Sequence, residues 1–169
     1  GSDFIRHFLA TEVANKIGAK ALLVRTGALY HDIGKMNSPA YFTENQNNFN
    51  PHDRISYEQS AAIVISHVKD GLKLADKYNL PQVIKDFIST HHGKGKTKYF
   101  LISYKNQHPD QTVDESIFTY PGPNPFTLEQ AILMMADSVE AASRSLNEYT
   151  EESISALVDK IVDCQVQEG

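Results

Sequence analysis

Apolar residues recur at helical spacing along most of this chain, and no segment sustains the period-2 alternation of a half-buried strand. Leu22, Thr26, Leu29 and Ile33 follow the i, i+4, i+7, i+11 pattern, with Gly34 as the stop signal. Ser56 and Gln59 form a capping-box pair ahead of a stripe of Ala61, Ile65, Val68, Leu72 and Ala75. Pro81 suits a first helical position, and Val83, Ile84, Phe87 and Ile88 carry the next helix to Gly93. Thr127 and Gln130 read as a second capping box, opening a helix with Leu128, Ile132, Met135, Val139, Ala142 and Leu146 on one side. A last helix runs from Thr150 to Val166. Tyr99-Phe-Leu-Ile-Ser103 fits either a strand or a helix. Between the helices lie a loop from Asn37 to Arg54 and a turn-rich stretch, Tyr120-Pro-Gly-Pro-Asn-Pro125. The expected fold is all-α.

At 169 residues the chain is one domain, long enough to bury ~70% of its unfolded surface. A net charge of -5, with no Lys/Arg run, excludes general DNA or RNA binding and a lipid-binding basic patch. The longest apolar run, Ala131 to Ala136, is too short to cross a bilayer, so this fragment makes no membrane contact of its own. The single cysteine, Cys164, forms no internal disulfide, which fits a reducing cytosol. Gly1-Ser2 reads as a cloning remnant, and the whole as a domain taken from a longer protein.

Seven histidines against one cysteine are the unusual feature. His31 and Asp32 are adjacent near a helix end, projecting ~100° apart, so they can address one cation or two. Taken alone, such a pair is usually a helix terminus with a dipole-favoured cation. His91 and His92 extend the buried rows of Phe87 and Ile88. There they are either capping histidines or metal ligands, since buried imidazoles need partners. His67, on the flank of its helix, reads alone as an ordinary core histidine. Asp137 shares a face with Leu133, Glu140 and Arg144, which is either a solvated row with a Glu140–Arg144 pair or a second buried face. Together, four imidazoles and two carboxylates suit a dinuclear site with nitrogen and oxygen ligands. The lack of thiolate ligands favours two divalent ions such as iron or manganese over structural zinc. Paired ions favour hydrolysis at phosphorus.

The motif His31-Asp-Ile-Gly-Lys35 resembles the HD superfamily of metal-dependent phosphohydrolases, and the order His31-Asp32, His67, His91-His92, Asp137 resembles its two-metal branch. Further blocks narrow the resemblance: Gly27 to Lys35, Glu44-Asn-Gln46, Asn50-Pro-His-Asp53, Ile65 to Gly71, His91-His-Gly93, Tyr120-Pro-Gly-Pro123 and Ala136 to Ser145. Over roughly residues 9 to 169 they resemble the cytoplasmic domain of bacterial seven-transmembrane-receptor HD phosphodiesterases. Members of that family hydrolyse cyclic di-AMP to pApA. The resemblance implies an HD helical bundle with a dinuclear site held by His31, Asp32, His67, His91, His92 and Asp137. Asp32 would bridge the ions, and a bridging hydroxide would attack in line. It also implies a cyclic dinucleotide as substrate partner and attachment of the parent protein to the inner membrane, with this domain cytoplasmic. A homodimer is compatible with that reading. The competing functions are hydrolysis of cyclic di-GMP or a guanosine alarmone, and a catalytically impaired nucleotide-binding module.

The family's first-helix histidine falls on Ser2 here. His7, ~140° further around, replaces it only across a deletion and is otherwise an exposed helix-start residue. Lys35 is placed to meet a substrate phosphate or to partner the helix dipole. Arg144, ~10 Å along the helix from Asp137, reaches a second phosphate or pairs with Glu140. Tyr120 is placed to stack on an adenine or to pack a turn. His52 and Asp53 lie in a loop of functional length. Gly93-Lys-Gly-Lys96 is too short for a phosphate loop, and His108 is read as surface.

Overall fold

The structure is a computed structural model that describes residues 2–46 and 49–168, with side chains described over 7–46 and 49–167. Among the described residues the regular structure is helical: α1 (Ser2–Ile17), α2 (Ala21–Tyr30), α3 (Tyr57–Lys77), α4 (Gln82–Thr90), α5 (Lys98–Gln107), α6 (Leu128–Ser143) and α7 (Glu151–Glu168). The Tyr99–Ser103 run is thus helix, inside α5. The stretch expected as a loop is folded into short 3₁₀ turns at Ile33–Asn37, Pro39–Tyr41, Thr43–Asn45 and Pro51–Arg54. None of the described helices is long and apolar enough to cross a membrane.

Helices α1, α2 and α6 pack through Ala10, Ala14, Val24, Ile132 and Ala136. Ala28, Phe87 and Leu133 join α2, α4 and α6, and Ala75, Ile84 and Ile88 join α3 to α4. On the far side of α3, Ala61 meets Leu101 and Phe118.

Several local readings need correction. On α2 the core face is Val24, Gly27 and Ala28, while Leu22 and Leu29 are exposed. Gly27 decides this: a Cβ there would sit 2.5 Å from the Phe87 ring, so the smallest residues face α4. Gly34 is not a helix stop, because α2 has ended at Tyr30 and Gly34 lies within a 3₁₀ turn pressed against α3. Ser56 and Gln59 do form a complete capping box. Thr127 and Gln130 form half of one: Thr127 caps the Gln130 N–H, but Gln130 Oε1 accepts from Phe126 N–H instead. Leu128 is exposed rather than part of the packed stripe. Pro81 is the N-cap residue of α4, one place before the first helical position.

Candidate metal centre

Close backbone approach assembles the site. A Cβ on Gly34 would fall 1.8 Å from the His67 carbonyl oxygen and 2.4 Å from Gly71 N. Only glycine lets the turn after Asp32 lie against α3 at His67. Gly93, at φ +52°, adopts the left-handed conformation that ends α4 just past His91 and His92.

Three histidines are aimed by one device. The Nδ1–H groups of His31, His67 and His91 donate to the carbonyls of Ala28, Val64 and Ile88, at 2.8, 2.5 and 2.8 Å. Each ring therefore presents Nε2 to the interior, as carbonyl partners commonly orient metal-binding imidazoles. His67 and His91 meet Nε2 to Nε2 at 3.0 Å. Asp32 lies among them: Oδ2 is 3.1 Å from His31 Nε2, and Oδ1 is 3.4 Å from His67 Nε2 and 3.6 Å from His91 Nε2. Asp137 comes from α6, 3.6 Å from His31 and 3.9 Å from His92 Nδ1.

The ligand atoms fall into two close sets, His67–His91–His92 and His31–Asp32–Asp137. His31, His67, His91 and Asp137 are buried, so the bland reading of a solvent-facing Asp137 row does not apply, and His67 is a core histidine that also faces the other candidate ligands. Converging imidazole lone pairs and carboxylates, without a thiolate, fit borderline divalent cations. Protonation follows the same packing. Burial opposes charge on His31, but Asp32 and Asp137 outweigh it and raise its pKa to about 9. Burial, with His91 next, lowers His67 to about 4, and the same pair of causes holds His92 well below its usual value. Burial works against ionised Asp32 and Asp137, yet His31 overcomes it and holds both carboxyls low.

Lys35 reaches Asp32 Oδ2 at 2.8 Å and Glu44 Oε1 at 2.7 Å. Arg144 forks onto buried Glu140 through Nε and Nη2, and its Nη1 lies 3.9 Å from Glu44. Glu44 therefore faces both candidate phosphate cations. Its only trace in the sequence is the Glu44-Asn-Gln46 block. Buried Phe42, edge-on to His67 at 5.7 Å, was likewise not singled out as a site residue.

Tyr120 is buried and stacked on His92, with centroids 4.2 Å apart and planes 22° apart. Its N–H donates to Gly95 O, which ties the Pro-Gly-Pro segment to the Gly93–Lys96 turn. His7 is neither a ligand in these sets nor exposed: half-buried, its Nε2 donates to Ala28 O, the carbonyl that also holds His31. The Ser2 side chain lies outside the described residues. His52 bonds Tyr41 O and packs on Phe100, while Asp53 is exposed, and neither belongs to the two ligand sets. His108 is half-buried and stacked on Tyr104.

The sequence matches the HD domain family over residues 7–142. A Listeria monocytogenes protein named cyclic-di-AMP phosphodiesterase PgpH is 46% identical over 162 residues, covering 95% of this chain and 22% of that protein. A Bacillus subtilis protein of the same name is 42% identical, with the same coverage. This chain thus spans about a fifth of the length of those relatives. The crystal structure of the L. monocytogenes PgpH HD domain in complex with cyclic-di-AMP superposes with a TM-score of 0.93 at 45% identity, covering 99% of this chain and 77% of that one. Fold, sequence match and the His-Asp constellation agree, and the chain belongs to the HD domain family.

Proposed function

We propose that this domain is a metal-dependent phosphodiesterase that hydrolyses cyclic di-AMP to linear pApA. The observation that carries the reading is the Asp32 carboxylate, which turns one oxygen toward His31 and the other toward His67 and His91. One carboxylate facing two ligand sets suits a pair of divalent ions, iron or manganese by the donor chemistry. The names of the relatives support the choice of nucleotide. Bound ions supply Lewis acidity toward a phosphoryl oxygen and toward the attacking water.

The protein's own groups do the rest. His31, His67, His91, His92, Asp32 and Asp137 hold the ions, with the carbonyls of Ala28, Val64 and Ile88 locking three of the rings. Lys35 offers a fixed positive charge beside Asp32, where burial opposes that charge but Asp32 and Glu44 keep the ammonium protonated. Arg144, aligned by Glu140, is the second phosphate contact. Burial, then Asp137 and Asp32, raise the Tyr120 phenol, so it stays protonated where its ring stacks on His92. The domain acts as the cytoplasmic catalytic piece of a longer, membrane-attached protein.

The test is elemental analysis of the purified protein together with chromatography of products from cyclic di-AMP with added manganese. Two ions per chain and a pApA product are expected. Intact nucleotide after incubation with metal-loaded protein would overturn the assignment.

A further inference from the structure

A single carbonyl links α1 to the metal centre. His7 Nε2–H donates to Ala28 O at 2.8 Å, and His31 Nδ1–H donates to the same oxygen at 2.8 Å. Ala28 is among the last four residues of α2, whose carbonyls lack the helical N–H donors that earlier turns enjoy. His31 N–H meets the preceding one, Gly27 O, at 2.9 Å. A carbonyl oxygen has two lone pairs. Ala28 O receives two imidazoles, one from α1 and one from the residue just past α2.

The α1 sequence carries His7 to that point. His7, Ala10 and Ala14 share one helix face at i, i+3 and i+7. Both alanines are fully buried and pack with Val24, so α1 lies close along α2. Val24 and Ala28 are one turn apart on α2 and both are buried. The shared face therefore brings the half-buried His7 ring to the end of α2. The bond joins residues 21 apart in sequence, which makes it a tether between helices.

Ala28 O is the acceptor that turns His31 Nε2 toward Asp32 and Asp137. It sits in the terminal turn of a ten-residue helix, and terminal turns fray. A ring aimed by a fraying carbonyl is poorly aimed, and His7 holds that carbonyl from outside the turn. Resting on the metal-centre reading above, we infer that His7 is a positioning residue for the His31–Asp32–Asp137 set. It is not a ligand; it fixes the carbonyl that aims one. His67 and His91 are aimed by Val64 and Ile88, on α3 and α4, so the tether serves one ligand set and not the other.

That asymmetry supplies the test. Metal-free wild type, His7→Leu, His7→Asn and His7→Gln are each titrated with manganese against a competing chelator. Leucine removes the donor and keeps apolar bulk, and the asparagine amide stops short of Ala28 O. The glutamine amide reaches about as far as Nε2 and still donates. The wild type should take up two ions. In His7→Leu and His7→Asn one ion should bind about tenfold more weakly while the other stays within about twofold, as when a partner of one ligand set is removed. His7→Gln should restore both to within about twofold of wild type, whatever its melting temperature. Equal weakening of both ions in the leucine and asparagine variants would make His7 a packing contact of α1 on α2 and overturn the inference. Unchanged binding in either folded variant, or a glutamine variant as weak as the asparagine one, would overturn it too. Uptake of fewer than two ions by the wild type would overturn the metal-centre reading itself, and this inference with it.

Discussion

The Nε2 atoms of His67 and His91 face each other at 3.0 Å, and each ring has its Nδ1–H committed to the carbonyl three residues back. With both Nδ1 atoms so committed, the two Nε2 atoms are the ones left to meet a ligand. A divalent cation takes both as ligands, so folding and metal uptake are linked. Manganese at about 100 times its Kd adds roughly 2.7 kcal/mol to stability, a rise of about 5–10 °C in melting temperature for a domain this size. Thermal melts with manganese and with a chelator check this. Coincident curves would show that the histidine cluster is stable without a cation.

Asp32→Ala removes a carboxylate that lies within 3.6 Å of His31, His67 and His91 and so faces both ligand sets. Turnover of cyclic di-AMP should fall by about 10³-fold or more, with bound metal reduced and the far-UV circular dichroism unchanged. The side chain does not belong to a hydrophobic cluster, so the helices persist without it. A variant with near-normal turnover would sink the two-ion reading.

Metal uptake should release a proton from His31. Its folded pKa is raised to about 9 from 6.5 because Asp32 and Asp137 outweigh the cost of burial. That shift contributes stability fully present below pH 6.5 and lost as pH rises through about 9. His67 and His92 are shifted the other way and are already neutral at pH 7. At pH 7, therefore, a cation that takes His31 as a ligand displaces its proton, and affinity rises with pH until about 9. Calorimetry in buffers of different ionisation enthalpy measures this directly. Release of no proton at pH 7 would mean that His31 is neutral before metal binds.

Much of this candidate site was visible in the sequence because its candidate ligands come in adjacent pairs at helix ends: His31-Asp32 and His91-His92. Helix starts were legible where a side chain caps the backbone, as at Ser56. The facing of α2 was not, since hydrophobicity points to Leu22 and Leu29, whereas close packing on Phe87 selects Gly27 and Ala28. Glu44 was not singled out either. It sits in a segment of 3₁₀ turns without a helical period, and only tertiary contact places it between Lys35 and Arg144.

Gly34→Ala tests the closeness of that packing. The new Cβ would meet backbone atoms, His67 O and Gly71 N, which cannot swing aside as a side chain can. The turn carrying Asp32 must move away from α3. A loss of more than about 2 kcal/mol is expected, seen as a melting temperature lower by about 5 °C or more, with reduced metal content. Wild-type melting and metal content would show that the turn adjusts without disturbing the site.

Lys35 and Glu44 separate phosphate binding from simple ion pairing. Lys35 bridges Asp32 and Glu44, so its removal deletes a cation beside the metal centre and leaves two carboxylates facing each other. Glu44→Gln keeps the shape but removes the charge that holds Lys35 and faces Arg144. If Lys35 contacts the phosphate as charge develops there, Lys35→Ala should lower kcat/KM about 100-fold. Glu44→Gln should cost about tenfold, mostly in KM, because Lys35 is still tethered by Asp32. Both variants should retain metal, which elemental analysis checks alongside the kinetics. Equal, small losses from the two substitutions would make the Lys35 ammonium a strut between carboxylates rather than a substrate contact.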